Sequence, residues 1–296
     1  MFNEKWIIFK TFAGSRMYGT HTPESDIDIR GVCVPPLKIL LDPFSNFEQY
    51  EGINNQDITI YSIRKFFQLL QDCNPNIVEL LFVSRPIISS LKWRLIVSNS
   101  NLFLSRRTRS TFIGYAYSQL KRIKLHREWL LNPPKKKPIR KDYNLPETPN
   151  WGFDKLENII HAPREVIVDE YRDEALREIS YRGAKTYWDN YHNWEITRNE
   201  KRAILEAKFG YDTKHGMHLY RLLTEGLELL NTGRITLPRP DKDFLLEIRN
   251  GGLSYNELMS LTSEFEEKIN LAADNSPLPD KPDTNKMRDL YYSLVM

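Results

Sequence analysis

Strands mixed with helices over the first hundred residues, then a long and almost wholly helical remainder, predict an α/β (α+β) fold for this sequence. Two observations carry that expectation. Short stretches rich in apolar residues, of strand length, stand at 5–13 (KWIIFKTFA), 27–34 (IDIRGVCV) and 57–61 (DITIY). Apolar residues at helical spacing begin with Ile63, Phe66, Phe67 and Leu70, and helical patterning dominates beyond residue 100.

Taken in order, 5–13 reads as a buried strand, 27–34 as a second and 57–61 as a third. Ser62–Asp72 reads as a helix. Asn74-Pro75 supplies an N-cap and a first-turn proline for another helix through 76–82. A long helix is expected from about 108 to 131. It breaks at NPPKKKPIRKDYNLPETPN (132–150), where prolines remove backbone donors and no regular element is expected. Thr197 with Glu200 and Ser254 with Glu257 have capping-box spacing, and Asp212 is placed to cap a helix ending before Gly233. No internal repeat is evident. The expected division is an α/β domain over 1–100 and a helical domain over 101–296, with a basic Pro/Lys-rich loop at 132–150.

A chain of 296 residues can bury one large core or two modest ones, and 41% hydrophobic with 27% charged residues is an ordinary globular balance. No apolar run approaches the roughly 20 residues that span a bilayer. The start MFNEKWIIFKTF lacks the pattern of a secretory signal, so a cytoplasmic protein with no membrane partner is expected. Cys33 and Cys73 are too few for a disulfide scaffold or a thiolate metal cage and read as packing residues. The net charge of +3 is unevenly spread: twelve cations between Asn101 and Lys141 face only Glu128. A polyanion would feel that field, although a solvated helix face followed by a basic loop leaves the same pattern.

The densest chemistry lies in GSRMYGTHTPESDIDIRGV (14–32). Strand alternation puts Asp26 and Asp28 on one side and Ile27 and Ile29 on the other, toward the core. Two carboxylates so close repel and raise each other's pKa, which calls for a cation, and a hard divalent ion such as Mg²⁺ suits the pair. Gly14-Ser15 falls where the first strand gives way to a helical turn. Backbone N–H groups and a hydroxyl there would hold a phosphate, with Gly14 and Gly19 letting the backbone come close. Singly, D-x-D and Gly-Ser are common; together at this spacing they are not.

The stretch resembles the G-S…G…S-D-x-D signature of the nucleotidyltransferase superfamily typified by DNA polymerase beta. More closely, the chain is similar to the RNA-repair-associated polymerase-beta family, with further support at 57–82, in the Pro-rich basic loop and at 210–241 (GYDTKHGMHLYRLLTEGLELLNTGRITLPRPD). No motif is recognisable between about 150 and 205. The resemblance implies a polymerase-beta-like catalytic domain, with a mixed sheet flanked by helices, over 1–100. It also implies metal-dependent transfer of a nucleoside monophosphate from an NTP to an acceptor hydroxyl, with two Mg²⁺ or Mn²⁺ ions. Asp26 and Asp28 would bridge both ions and Asp57 would be the third carboxylate, Glu51 and Glu79 being alternatives. Gly14, Ser15, Gly19 and Ser25 would bind the nucleotide.

Lys214, His218, Arg221 and Glu225 share one helix face, with Met217, Tyr220, Leu223, Leu227 and Leu230 on another. With the resemblance, Lys214, His218 and Arg221 are nucleotide-binding candidates that would neutralise triphosphate charge; without it, a solvated face with an Arg221–Glu225 pair explains them. His215 and His218 lack a nearby thiolate or third histidine, which argues against zinc. The basic segment, above all Lys135, Lys136, Lys137, Arg140 and Lys141, favours RNA as acceptor. Tyr115, Tyr117 and Trp129 are placed to stack on bases or to pack inward. The competing readings are a non-catalytic nucleic-acid binder and a nucleotidyltransferase acting on a protein, as in toxin–antitoxin pairs; no protein partner is indicated.

Overall fold

The computed structural model describes residues 2–44, 47–52, 57–149, 153–161 and 169–296. Its sheet is mixed and five-stranded, in the order β3-β4-β2-β1-β5: β1 is Ile7–Phe12, β2 Ile29–Cys33, β3 Gln49–Glu51, β4 Ile58–Ser62 and β5 Ile88–Ser89. β2 and β4 are parallel, with Ile29 opposite Ile58 and Cys33 opposite Ser62. The other pairings are antiparallel, and Phe12 of β1 lies opposite Ile29. The three expected strands are present; β3 and β5 are too short to show an alternation in sequence.

The helices of the N-terminal part are α1 (Gly14–Tyr18), α2 (Leu37–Leu40), α3 (Ile63–Gln71), α4 (Pro75–Val78), α5 (Leu91–Ser98) and α6 (Thr108–Leu131). The Ser62 side chain accepts from Lys65 N to start α3, and Asn74 accepts from Asn76 N with Pro75 as the first residue of α4. A 3₁₀ turn, Glu79–Phe82, continues α4. Phe9 of β1 stacks on Trp93 of α5 at 3.8 Å between centroids, with Phe66 of α3 against the same indole at 5.6 Å. These rings and the two buried cysteines belong to the core.

Further along are α7 (Phe153–His161), α8 (Asp169–Thr197), α9 (Glu200–Phe209), α10 (Thr213–Thr232), α11 (Lys242–Arg249), α12 (Tyr255–Asn275) and α13 (Thr284–Val295). Asp212 caps α10 through His215 N, Gly233 follows it in the left-handed region, and Ser254 with Glu257 forms a full capping box on α12. Thr197 does not cap: α8 runs through it, its hydroxyl donates to Asn193 O, and the cap passes to Asn199.

By compactness the chain forms two units, Met1–Ile123 with Asp212–Met296, and Lys124–Tyr211. In the first, the sheet shares a unit with α10, which is buried around most of its circumference rather than along one stripe. In the second, Leu156, Ile159 and Ala175 form a small core, and Trp129, 4% exposed, packs on Trp194 at 5.3 Å. Trp129 is therefore a core residue and not a stacking platform. No helix of the described residues is long and apolar enough to cross a membrane.

Candidate active site

The parallel register of β2 and β4 builds the site. Asp28 and Asp57 each stand one residue before the paired Ile29 and Ile58, and Ile29 N donates to Asp57 O at 2.8 Å. Side chains at matching positions of neighbouring parallel strands lie roughly 5 Å apart on one side of the sheet. Asp28 and Asp57 are accordingly within hydrogen-bonding reach of each other. Burial raises the Asp28 carboxyl above its ordinary range, the Asp57 hydrogen bond and charge raise it further, and Arg30 opposes them. Burial pushes Asp57 up as well, but the hydrogen bond and charge of Arg30, with the hydrogen bond from Asp28, leave it below its ordinary range. Arg30 Nη1 donates to Asp57 Oδ1 at 2.8 Å and to Ile29 O at 2.9 Å.

Gly14 closes the site from the side of β1. It has φ +56°, and a Cβ there would stand 2.3 Å from Asp28 Oδ2. Ala13 N donates to Asp28 O at 2.8 Å, holding the two segments together. Only glycine fits this approach without displacing the carboxylate.

Asp26 lies before β2 and is exposed, and its charge raises Asp28 less than Asp57 does. Ile27 is 54% exposed, against the expectation that it faces the core: strand alternation does not extend to it, because β2 begins at Ile29. Ser15 is half-buried in α1, and Gly19 ends that helix with φ +78°. The Ser25 hydroxyl accepts from Thr22 N at 2.9 Å, serving the turn at 22–25. Glu51 lies on β3, two strands from β2, accepting from Gln49. Glu79 is buried elsewhere, so among the three carboxylates open for the third position Asp57 is the one set beside Asp28.

Arg221 is neither solvated nor presented to a cleft. It is 4% exposed, and its Nη1 donates to Glu79 Oε2 at 2.9 Å and to Glu225 Oε2 at 2.7 Å. Its guanidinium sits 4.2 Å from the Tyr18 ring, whose hydroxyl donates to the Glu79 carboxylate at 2.9 Å. Arg239 N donates to Tyr18 O at 3.0 Å, and its buried guanidinium is held by Asp241 and Glu228. The last residue of α1 is thus gripped by buried charged groups. Lys214 is exposed in the first turn of α10, and His218, half-buried, lies one turn from Arg221 on the same face.

The basic segment is less open than its sequence suggests, because tertiary contacts bring acids to it. Arg106 pairs with Asp280, Arg107 with Asp72, Lys136 with Asp142, and Arg140 with the buried Glu178. The loop also contains a 3₁₀ turn, Arg140–Tyr143. Lys121, Arg122, Lys124, Lys135, Lys137 and Lys141 are exposed. Tyr117 and Tyr115 are partly exposed, with their hydroxyls bonded to Glu266 and Asn74.

Arg30, Tyr18 and Arg239 are site or support residues not singled out in sequence. Arg30 had a signal, since it continues the alternation of Asp26 and Asp28 by two. Tyr18 had none, as Glu79 and Arg221 are far along the chain, and neither did the contact of Arg239 N with Tyr18 O.

Residues 3–137 match the family described as the RNA repair pathway DNA polymerase beta family, in agreement with the resemblance carried by Gly14–Val32. A curated protein of Enterobacteria phage T4, described as an uncharacterized 38.9 kDa protein in the nrdC-mobD intergenic region, is 23% identical over 305 aligned residues. The alignment covers 90% of this chain and 89% of the phage protein. No solved structure matches the chain.

The buried cluster makes stability depend on pH. Burial, against the pull of Arg221, pushes Glu79 from an ordinary 4.5 up to about 7. The folded state then holds a proton that the unfolded state has lost, so this contribution is full below about 4.5 and declines as pH rises through about 7. Glu79→Gln will flatten that part of the stability–pH curve in urea unfolding. Arg221→Met will cost about 3–5 kcal/mol at neutral pH, leaving two buried carboxyls without their cation, and less at pH 5. Equal losses at both pH values would contradict this reading.

Proposed function

We propose that this chain, whose residues 3–137 match the RNA repair pathway DNA polymerase beta family, is a nucleotidyltransferase that moves a nucleoside monophosphate from an NTP to a hydroxyl on RNA. The observation that carries the reading is the juxtaposition of Asp28 and Asp57 at adjacent strand mouths, with Gly14 pressed against Asp28. All the donors are hard carboxylate oxygens, which suits Mg²⁺ or Mn²⁺. Bound divalent ions would neutralise charge on the attacking and leaving oxygens. Asp26, Asp28 and Asp57 would hold them, and Arg30 fixes the rotamer of Asp57 through one carboxylate oxygen.

The acceptor hydroxyl would release its proton to solvent, its oxygen would form a bond to the α-phosphorus as the bond from that phosphorus to the oxygen bridging to the β-phosphate breaks, and pyrophosphate would leave with that oxygen. Gly14, Ser15 and Gly19 would line the triphosphate, with Ser25 holding the adjoining turn. Lys214 and His218 would face it from α10. Arg221 acts through Tyr18 as a positioning residue. The transfer chemistry falls within 1–100, and the helical remainder 101–296 contributes the triphosphate-facing and RNA-binding cations. An enzyme using NTP and RNA would work in the cytoplasm.

Incubation with Mn²⁺, each labelled NTP in turn, and separate pools of RNA, DNA and cell protein will label RNA. Asp28→Asn and Asp57→Asn will each lower labelling by at least about 100-fold, in line with loss of a group essential to transfer. In metal-free buffer Asp28→Asn will not melt markedly below wild type, because it removes a like charge from a crowded pair, whereas Asp57→Asn also loses the Arg30 ion pair and will melt somewhat lower. Near-normal labelling by either variant contradicts the reading, and label in protein alone transfers it to a protein acceptor.

For RNA binding, the exposed loop lysines matter more than the paired ones. Replacing Lys135, Lys137 and Lys141 by Ser will flatten the slope of log affinity against log salt by about 2, at roughly 0.7 per phosphate contacted on a single strand. An unchanged slope means that the loop is only a solvated tether.

A further inference from the structure

A cavity of about 480 Å³ opens beside the clasp helix, lined among others by Phe12, Arg16, Ser84, Arg85, Leu237 and Pro238. Among the described residues no carboxylate lines it. It begins on the residue of β1 that lies opposite Ile29, the neighbour of Asp28. Phe12 is 41% exposed despite standing at the end of a core strand. The Arg16 guanidinium lies 5.8 Å from the Phe12 ring centroid, and its buried Nε has no hydrogen-bond partner among the described residues. Arg85 and Ser84 are exposed on the turn after the 3₁₀ segment, and Leu237 with Pro238 closes the apolar wall.

We propose that this cavity binds one nucleotide unit, its base against the Phe12–Arg16 pair and its phosphate on Arg85. An aromatic face and a guanidinium plane both stack on any base, at roughly 1–3 kcal/mol per base for aromatic stacking. A guanidinium fork also matches phosphate oxygens. The volume lies within the range of small-ligand sites, about 300–1,000 Å³. An acidic peptide would satisfy the arginines but leave the exposed ring without a planar partner. The proposal rests on the nucleotidyltransferase reading only for the source of the nucleotide, which is either the incoming NTP or the end of the acceptor strand.

The test is calorimetric titration of AMP, with ribose 5-phosphate as a probe lacking the base, into the full chain in EDTA. AMP will bind more tightly than ribose 5-phosphate. Phe12→Ala and Arg85→Ser will each weaken AMP by at least tenfold, whereas Lys286→Ser, an exposed change away from the cavity lining, will change it less than twofold. Should Phe12→Ala fail to fold, Ser84→Phe, which fills the cavity from an exposed turn, replaces it with the same expected loss. A second titration adds a non-hydrolysable ATP analogue with Mn²⁺: competition with AMP assigns the cavity to the incoming nucleotide, and simultaneous binding assigns it to the acceptor end. AMP binding without any transfer activity overturns the proposed function and leaves the cavity's role standing. No AMP binding at millimolar concentration, equal affinity for ribose 5-phosphate, or AMP affinity unchanged in the Phe12 and Arg85 variants overturns the cavity's role.

Discussion

Two carboxylates at the mouths of adjacent parallel strands repel, and the strand register, Arg30 and Gly14 all converge on that pair. The register that sets Ile29 opposite Ile58 brings Asp28 and Asp57 together. Arg30 offsets part of the charge, and Gly14 approaches Asp28 where any larger residue would strike it. None of this improves packing. A fold selected for stability alone would place a hydrophobic or neutral pair at such a position, since like charges held together cost energy. Under the proposed function, a bound divalent cation would relieve that repulsion.

A second concentration of charge, fully buried, holds the clasp helix from the other end. Arg221 joins Glu79, 142 residues away, to Glu225 and the Tyr18 ring. Buried ion clusters seldom add much net stability, because desolvation offsets their attraction. Their directional bonds do fix geometry. Tyr18 is one residue before the glycine that ends α1, so the orientation of Ser15 and Arg16 in this five-residue helix depends on where α10 stands. The same helix thus borders both the carboxylates and the arginine-lined cavity.

Much of this was legible in the sequence. The α+β class, three of the five strands, the caps at Asn74, Asp212 and Ser254, and the extent of α6 all follow from local chemistry acting over a few residues. The candidate site was legible as a motif, but not as geometry. The pairing of Asp28 with Asp57 depends on strand register, which a five-residue strand does not disclose. Arg221 and Glu225 looked like a solvated helix pair because nothing near them in sequence announces Glu79 or Tyr18. Arg140 looked open because Glu178 is supplied from α8. In each case the missing information was a tertiary partner.

The central claim is that Asp26, Asp28 and Asp57 form a divalent-ion site that assembles with the nucleotide. Electron paramagnetic resonance of Mn²⁺, titrated into the full chain with a non-hydrolysable ATP analogue, counts the ions directly. The account predicts two Mn²⁺ per chain in the ternary complex, and loss of both tight sites in the Asp28→Asn/Asp57→Asn double variant. Mn²⁺ binding that is no tighter than to the nucleotide alone, or that survives unchanged in the double variant, would contradict it.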